Sequence, residues 1–600
     1  MGASGKAFGK QELQRNMRYS EDPRQNRLFD PFAGVISAAG MRVIASGWQG
    51  VLRHCLLEKL PVTKLGESFS AAMGTPTKEL YSMAGLVFLT DFFDWTSEEA
   101  SQEYMLNLGV QYALNLEPGA AVCSRTVERY QQIFRDQDLG AKVFDLLTTK
   151  LAELLEIDVS KQRLDSTHVF SHMASFGRTK LMAVAIKRFL TQVKRHAQPL
   201  YNALPEEFRG RYEVAQAKLF SHAKDADARK RFRQQAAEDL HWVIEHFAKQ
   251  TAITDRRTYK DLQKLFEQQC EVVEGKIEVR AKTGGDCLQN PSDPDATYDG
   301  HKGQGYQVQI TETYHPDNEV QLITAALPQT ACAVDGAAVE PMLEQLKTRD
   351  LLPVELPADG AYGSDENVQI AVKYGVELIA PLAGRDPAAA DPNALTLDDF
   401  AHDDFAHDER TGHIDACPQS HAPLHVIRTV DAETGMTTTV IEMDAALCSA
   451  CPLLALCPIK KTRDDRYELK FTDKDQRLAA RRREQATEVF DERYASRSGI
   501  ESTNSGLKNR CGLGKLRVRG RGAVYRKLHH KLAGWNMLRA AASKKVRAIV
   551  AAAVAKTLGL GLSAQSGDLQ DLVFSRFGRP NRILRLLRSQ IRNFLPSTAA

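Results

Sequence analysis

The sequence predicts an α/β protein: a mixed-sheet core preceded by a helical N-terminal domain and interrupted by a helical insertion and a cysteine-rich β insertion. Three observations carry this. Apolar residues recur at helical spacing through 41–157, as in Leu80, Met83, Leu86, Val87 and Phe93, and again in Val127, Tyr130 and Phe134. Period-two alternation in Tyr306-Gln307-Val308-Gln309-Ile310, a turn at His315-Pro316-Asp317-Asn318 and an apolar run from Val320 to Leu327 predict a β-hairpin. Beyond it strand and helix patterns alternate, which points to a mixed sheet.

In chain order, 1–40 is polar and reads as a flexible N-terminus, and 41–157 as a helical domain suited to DNA binding. The first part of the core spans 158–381. It opens with a strand at Lys161 to Val169 and is split by a helical insertion, 179–279, which Pro199 and Pro205 break early. Asn290 to Gly305 reads as a loop, its acids Asp293, Asp295 and Asp299 included. After the hairpin come a helix through Val339, Met342, Leu343 and Leu346, a strand at Val354 to Pro357, a helix after Ser364 and a strand at Val376 to Pro381. The second insertion, 382–485, begins with Asp/Pro/Ala-rich sequence. A short duplication, Asp398-Asp399-Phe400-Ala401-His402 followed by Asp403-Asp404-Phe405-Ala406-His407, reads as solvated loop, and a second hairpin pairs His425–Thr429 with Thr437–Ile441. Helices in 486–545 complete the core, and 546–600 is a basic helical tail.

Composition sets the class. A hydrophobic fraction of 43% and a charged fraction of 26% describe a folded globular chain. The Ala-rich run Val546 to Leu562 contains Arg547 and Lys556, falls short of a bilayer span and reads as a soluble helix. The N-terminus lacks the apolar core of a signal peptide, and ten cysteines in 600 residues are too sparse for a disulfide scaffold, so the expected location is cytoplasmic and nucleoid-associated. The net charge of +3 conceals an asymmetry: Ser502 to Gly567 holds fourteen Lys or Arg and no Asp or Glu, and six more arginines follow from Arg576 to Arg592. A cationic block of that size attracts polyanions, which makes nucleic acid the leading partner over a solvated face or an anionic lipid surface. No G-x-x-x-x-G-K-[ST] loop is present, so ATP-driven chemistry has no support.

The sharpest local signal is Tyr494, Arg497, Glu501 and Lys508, spaced Y-x2-R-x3-E-x6-K. At about 100° per residue the four project within about 60° of one helical face, placing one acid among cations. A solvated helix could arrange charges this way. Against that stands the poor helix propensity of Ser496, Ser498, Gly499, Ser502, Thr503, Asn504, Ser505 and Gly506, which requires packing or a ligand to hold the helix.

With that signature the chain resembles the DDE-type transposases of bacterial insertion sequences, in the branch carrying Y-R-E-K. The resemblance runs from about residue 50 to 545 and implies an RNase H-like core. It also implies two further acids: Asp165, in Arg163-Leu164-Asp165-Ser166-Thr167-His168, and Asp359, in Leu356-Pro357-Ala358-Asp359-Gly360-Ala361-Tyr362, with Glu501 as the third. The residues alone leave alternatives open, since Asp359 before Gly is a common turn residue and Asp165 could bond Ser166 or Thr167 locally. By resemblance the triad binds two Mg²⁺ or Mn²⁺ ions that cut and join double-stranded DNA, at element ends with terminal inverted repeats and at target DNA. Tyr494, Arg497 and Lys508 would contact the DNA, and the protein would work as a dimer or higher oligomer. Some relatives form a DNA hairpin using a tryptophan of the insertion; Trp48, Trp95, Trp242 and Trp535 all lie outside it here. Carboxylates suit a hard ion that keeps positions open for substrate.

Cys417, Cys448, Cys451 and Cys457 lie in the second insertion with a C-x2-C-x5-C core, the short spacing of a thiolate zinc site; the alternative is four reduced, buried cysteines. Competing readings of the whole are an RNase H-fold nuclease without strand transfer and a catalytically silent, transposase-derived DNA-binding protein.

Overall fold

The computed structural model describes residues 17–25, 31–32, 35–220, 225–382, 394–402, 414–433 and 435–557. The second copy of the duplication and the arginines from Arg576 onward lie outside these residues. The chain divides into two compact units, Met1–Ile157 with His529–Ala600, and Asp158–Leu528.

The first unit is helical. Leu80–Phe92 is buried almost all round, as a helix apolar on every face must be, whereas Ser124–Asp136 buries one stripe of Val127, Tyr130 and Phe134. Lys544–Thr557 belongs to this unit, and no described helix is long and apolar enough to cross a membrane.

The second unit is built on five strands: β1 (Gln162–Val169), β2 (Gly303–Thr313), β3 (Ile323–Thr330), β4 (Glu355–Pro357) and β5 (Glu377–Ile379). β1, β2 and β3 form an antiparallel meander in which β2 is central, and β4 and β5 pair in parallel. A parallel bridge between Lys161 and Glu355 joins the two groups, so the order is β3-β2-β1-β4-β5. This mixed sheet is consistent with an RNase H-like core. The helix Val339–Lys347 buries Val339, Met342, Leu343 and Leu346, and the helix Asp365–Lys373 starts at Ser364, whose side chain accepts from the Asn367 amide.

Four details depart from the sequence reading. The insertion is helical from Arg178 only to Gln269 and ends in a β-hairpin, Cys270–Val273 with Lys276–Val279. Its two-residue turn, Glu274-Gly275, holds positive φ at both positions, which matches strand twist and lets the β-branched residues on either side pair. Within the expected loop 290–305, Thr297–Asp299 forms a short strand, and Asp293 is fully buried as the acceptor of the Tyr306 hydroxyl at 2.6 Å. The first copy of the duplication is not solvated loop. Phe400 is buried in the core of the second insertion with Ile441, Tyr467 and Phe471, and Asp398 pairs with Arg482 at 2.7 Å. Finally, residues 494–508 are not one α-helix: a 3₁₀ turn at Ser496–Ser498 separates Glu488–Ala495 from Gly499–Arg510.

The second insertion centres on a four-stranded antiparallel sheet whose hairpin pairs His425–Val430 with Thr437–Met443.

Candidate active site

Three segments far apart in sequence bring their acids to one place. Asp165 lies in β1 opposite Ile310 of β2 and is 8% exposed. Asp359 follows β4 and caps the 3₁₀ turn Gly360–Tyr362, its Oδ1 accepting from the Ala361 amide at 2.9 Å. Glu501 stands in the first turn of Gly499–Arg510, with its side chain largely exposed.

Arg497 sits among all three. Its Nη2 is 3.4 Å from Asp165 Oδ1 and 3.7 Å from Asp359 Oδ2, and its Nη1 is 3.5 Å from Glu501 Oε1. Burial pushes the Asp165 carboxyl above the ordinary range, with Arg497 opposing that shift and Asp359 adding to it. Burial by itself would lower the Arg497 guanidinium, but the charges of Asp165 and Asp359 hold it above its usual value. Among the described residues no group of three or more His, Cys, Asp or Glu side chains is arranged to hold a metal ion, and a cation of the protein itself lies between these carboxylates. The donor set is nevertheless three hard oxygen ligands, which fits Mg²⁺ or Mn²⁺ once the guanidinium is elsewhere.

Two supports escape sequence reasoning. Asn504 Nδ2 donates to Asp165 Oδ2 at 3.1 Å, fixing the other carboxylate oxygen toward Arg497. The inward stripe of Gly499–Arg510 is Ile500, Thr503, Asn504 and Leu507, and two polar residues on an apolar stripe are the signal that could have found it. Beside it, fully buried Glu312 of β2 accepts from Arg163 Nη2 at 2.6 Å and from the Thr503 hydroxyl at 2.6 Å, while Arg163 Nη1 donates to Ser496 O at 3.1 Å. That guanidinium passes so close to Gly499 that a Cβ there would lie 2.0 Å from Arg163 Nη1. A side chain at 499 would have to displace that guanidinium from Glu312 and Ser496.

On the opposite register face of β1, Asp335 accepts from Gln309 Nε2 at 2.8 Å and from the Ser166 hydroxyl at 3.3 Å, with Lys302 Nζ 3.7 Å away. The Tyr362 hydroxyl donates to Gln309 Oε1, and burial followed by the charges of Asp335, Asp165 and Asp359 keeps it protonated.

Of the remaining signature residues, Tyr494 lies near enough to Arg497 to help hold its guanidinium up, after Asp165 and Asp359. Tyr494 stacks on Phe490 with ring centroids 5.8 Å apart. Lys508 is exposed; burial depresses the His168 imidazole, and the charges of Lys302 and Lys508 add to that. In the second insertion Cys417, Cys448, Cys451 and Cys457 line one pocket together with His421. Burial pushes the Cys448 thiol up to about 11, with Cys417, Cys457 and Cys451 contributing.

Residues 416–541 match the family model of a transposase DDE domain. The matched segment includes Arg497, Glu501 and the four cysteines, whereas Asp165 and Asp359 precede it. Among solved structures, the piggyBac transposase synaptic complex with hairpin DNA is similar at 10% identity, over 71% of this chain and 77% of that one, with a TM-score of 0.17. No curated protein sequence matches the chain.

Proposed function

We propose that this protein is a DDE-type DNA transposase that binds the ends of its element and catalyses metal-dependent DNA cleavage and strand transfer. The observation that carries the reading is the placement of Asp165, Asp359 and Glu501, from three distant segments, around the single guanidinium of Arg497. The family match over 416–541 supports it independently.

In this reading Asp165, Asp359 and Glu501 would hold two divalent ions, which would supply activation of the attacking hydroxyl and stabilisation of the leaving oxygen. The chain's own residues do the positioning. Asn504 holds Asp165 in one orientation, Asp359 is fixed by its own turn, and Glu501 has the exposure needed to close on substrate. Arg497 occupies the cation position between the carboxylates before DNA and metal arrive and then neutralises phosphate charge. Tyr494, beside Arg497, and the exposed Lys508 would contact the DNA strand.

The four thiols that line one pocket are not arranged around a common point as they stand; drawn together and deprotonated, they would supply the thiolate ligands of a structural zinc ion that braces the second insertion and not the five-strand core.

Asp165→Asn, Asp359→Asn and Glu501→Gln test the assignment. Each should abolish Mg²⁺- or Mn²⁺-dependent DNA cleavage while leaving binding largely intact. A folded variant that cuts at the wild-type rate would remove that residue from the site.

A further inference from the structure

We propose that Lys515, Arg517 and Arg519 form a track that holds the sugar-phosphate backbone of a DNA strand as it leaves the acid cluster. This rests on the transposase reading and adds where the strand runs.

The segment after Gly499–Arg510 lies alongside the end of β1. The Phe170 amide donates to Gly514 O at 2.9 Å, the Leu516 amide to Phe170 O at 2.8 Å, and the His172 amide to Val518 O at 2.8 Å. The chain bends at Arg517, and burial alternates along it. Leu516 is fully buried and Val518 half-buried, whereas Lys515, Arg517 and Arg519 are all exposed. Three exposed cations therefore recur at every second residue, about 5 to 7 Å apart along the chain. That interval is of the order of the spacing between successive phosphates along a nucleic-acid strand.

Charge complementarity selects the occupant. Among the described residues none of the three pairs with a carboxylate, and Glu501 is the only acid from Gly499 to Thr557. Cations repeated at this interval repel one another, and a polyanion relieves the repulsion. Position selects the strand. β1 carries Asp165, and the track starts beside Phe170, five residues or about 17 Å further along. A strand cut at the acids would reach it within a few nucleotides.

The test uses the full-length protein, a short duplex of arbitrary sequence to measure binding against salt, and nicking of supercoiled plasmid in Mn²⁺ to read chemistry. The triple variant Lys515→Gln, Arg517→Gln, Arg519→Gln should lower the slope of log affinity against log salt by about 0.9 per lost contact, or about 2.7 in all. Neutralising Arg229, Lys230 and Arg231, exposed on the helix Ala226–Phe247, should lower it by less than about one. Arg517→Gln alone should account for about 0.9 and Arg517→Lys for almost nothing, which keeps the test decisive should the triple variant misfold. A wild-type slope in the folded triple variant or in Arg517→Gln would overturn the track. Asp165→Asn separates the two levels: its slope should be unchanged and its nicking lost. Nicking at the wild-type rate would sink the catalytic reading, while the slopes would still decide the track.

Discussion

The side-chain amide of Asn504 donates to Asp165 across 3.1 Å, tying the helix that carries Glu501 to the strand that carries the first aspartate. A hydrogen bond to a buried carboxylate is worth more than a neutral one, and this one also sets which oxygen faces the cation position. Asn504→Ala should therefore raise the Mn²⁺ concentration needed for half-maximal cleavage and slow the saturated rate by roughly tenfold, which corresponds to about 1.4 kcal/mol. Asn504→Gln should recover part of the loss. A metal titration unchanged from wild type would confine Asn504 to packing.

Arg497 competes with metal for the same carboxylates. Arg497→Ala should bind Mn²⁺ more tightly than wild type in the absence of DNA, as read by paramagnetic relaxation. Its single-turnover cleavage at saturating DNA should nevertheless fall by roughly a hundredfold, because a charge that stabilises the transferring phosphate is lost. Weaker Mn²⁺ binding would show that the guanidinium assembles the site and does not compete for it.

Arg163 and Gly499 are coupled through contact. Arg163→Ala leaves Glu312 charged and buried, a loss of about 3 to 5 kcal/mol. Gly499→Ala places a methyl group where the Arg163 guanidinium now lies. Both should lower the unfolding midpoint, and each should weaken cleavage through the displaced helix. The double variant Arg163→Ala, Gly499→Ala should be less destabilised than the sum of the singles, since the clash disappears with the guanidinium.

The cysteine pocket should take up about one zinc per chain, measured by elemental analysis of reduced protein. Cys448→Ser should abolish uptake and make the second insertion sensitive to protease, while the five-strand core persists.

His54 makes the first unit acid-sensitive. Burial, with Arg53 adding, lowers its imidazole to about 3, and its Nε2 lies 2.8 Å from the Tyr112 hydroxyl. A base whose folded pKa is depressed contributes full stability above its unfolded value, near 6.5, and loses it as pH falls toward the folded value. Chemical denaturation between pH 7 and 4 should show a progressive loss of about 3 kcal/mol, which His54→Gln should largely remove.

The hairpin at 306–327 was legible because period-two alternation and a His-Pro-Asp-Asn turn are both local. The helix at Val339–Lys347 was legible for the same reason. The Glu274-Gly275 hairpin was not, since a helical expectation over a hundred residues hid a two-residue turn whose geometry depends on positive φ at both positions. Phe400 was misread because the acids flanking it look solvated, and only the surrounding sheet buries the ring. At the site, the Y-R-E-K spacing marked Glu501 and Arg497, and Asp165 and Asp359 came from resemblance.

By itself the sequence determined what short-range physics controls: the strands and helices of the core, the cationic stretch with a single acid, and the Y-R-E-K spacing of charge. Tertiary structure alone decided that Arg497 lies among three carboxylates and that Asn504 holds Asp165 from 339 positions away. Hydrogen bonds and ion pairs act over a few ångströms in space, and chain folding, which one-dimensional spacing does not encode, sets which residues come within that range.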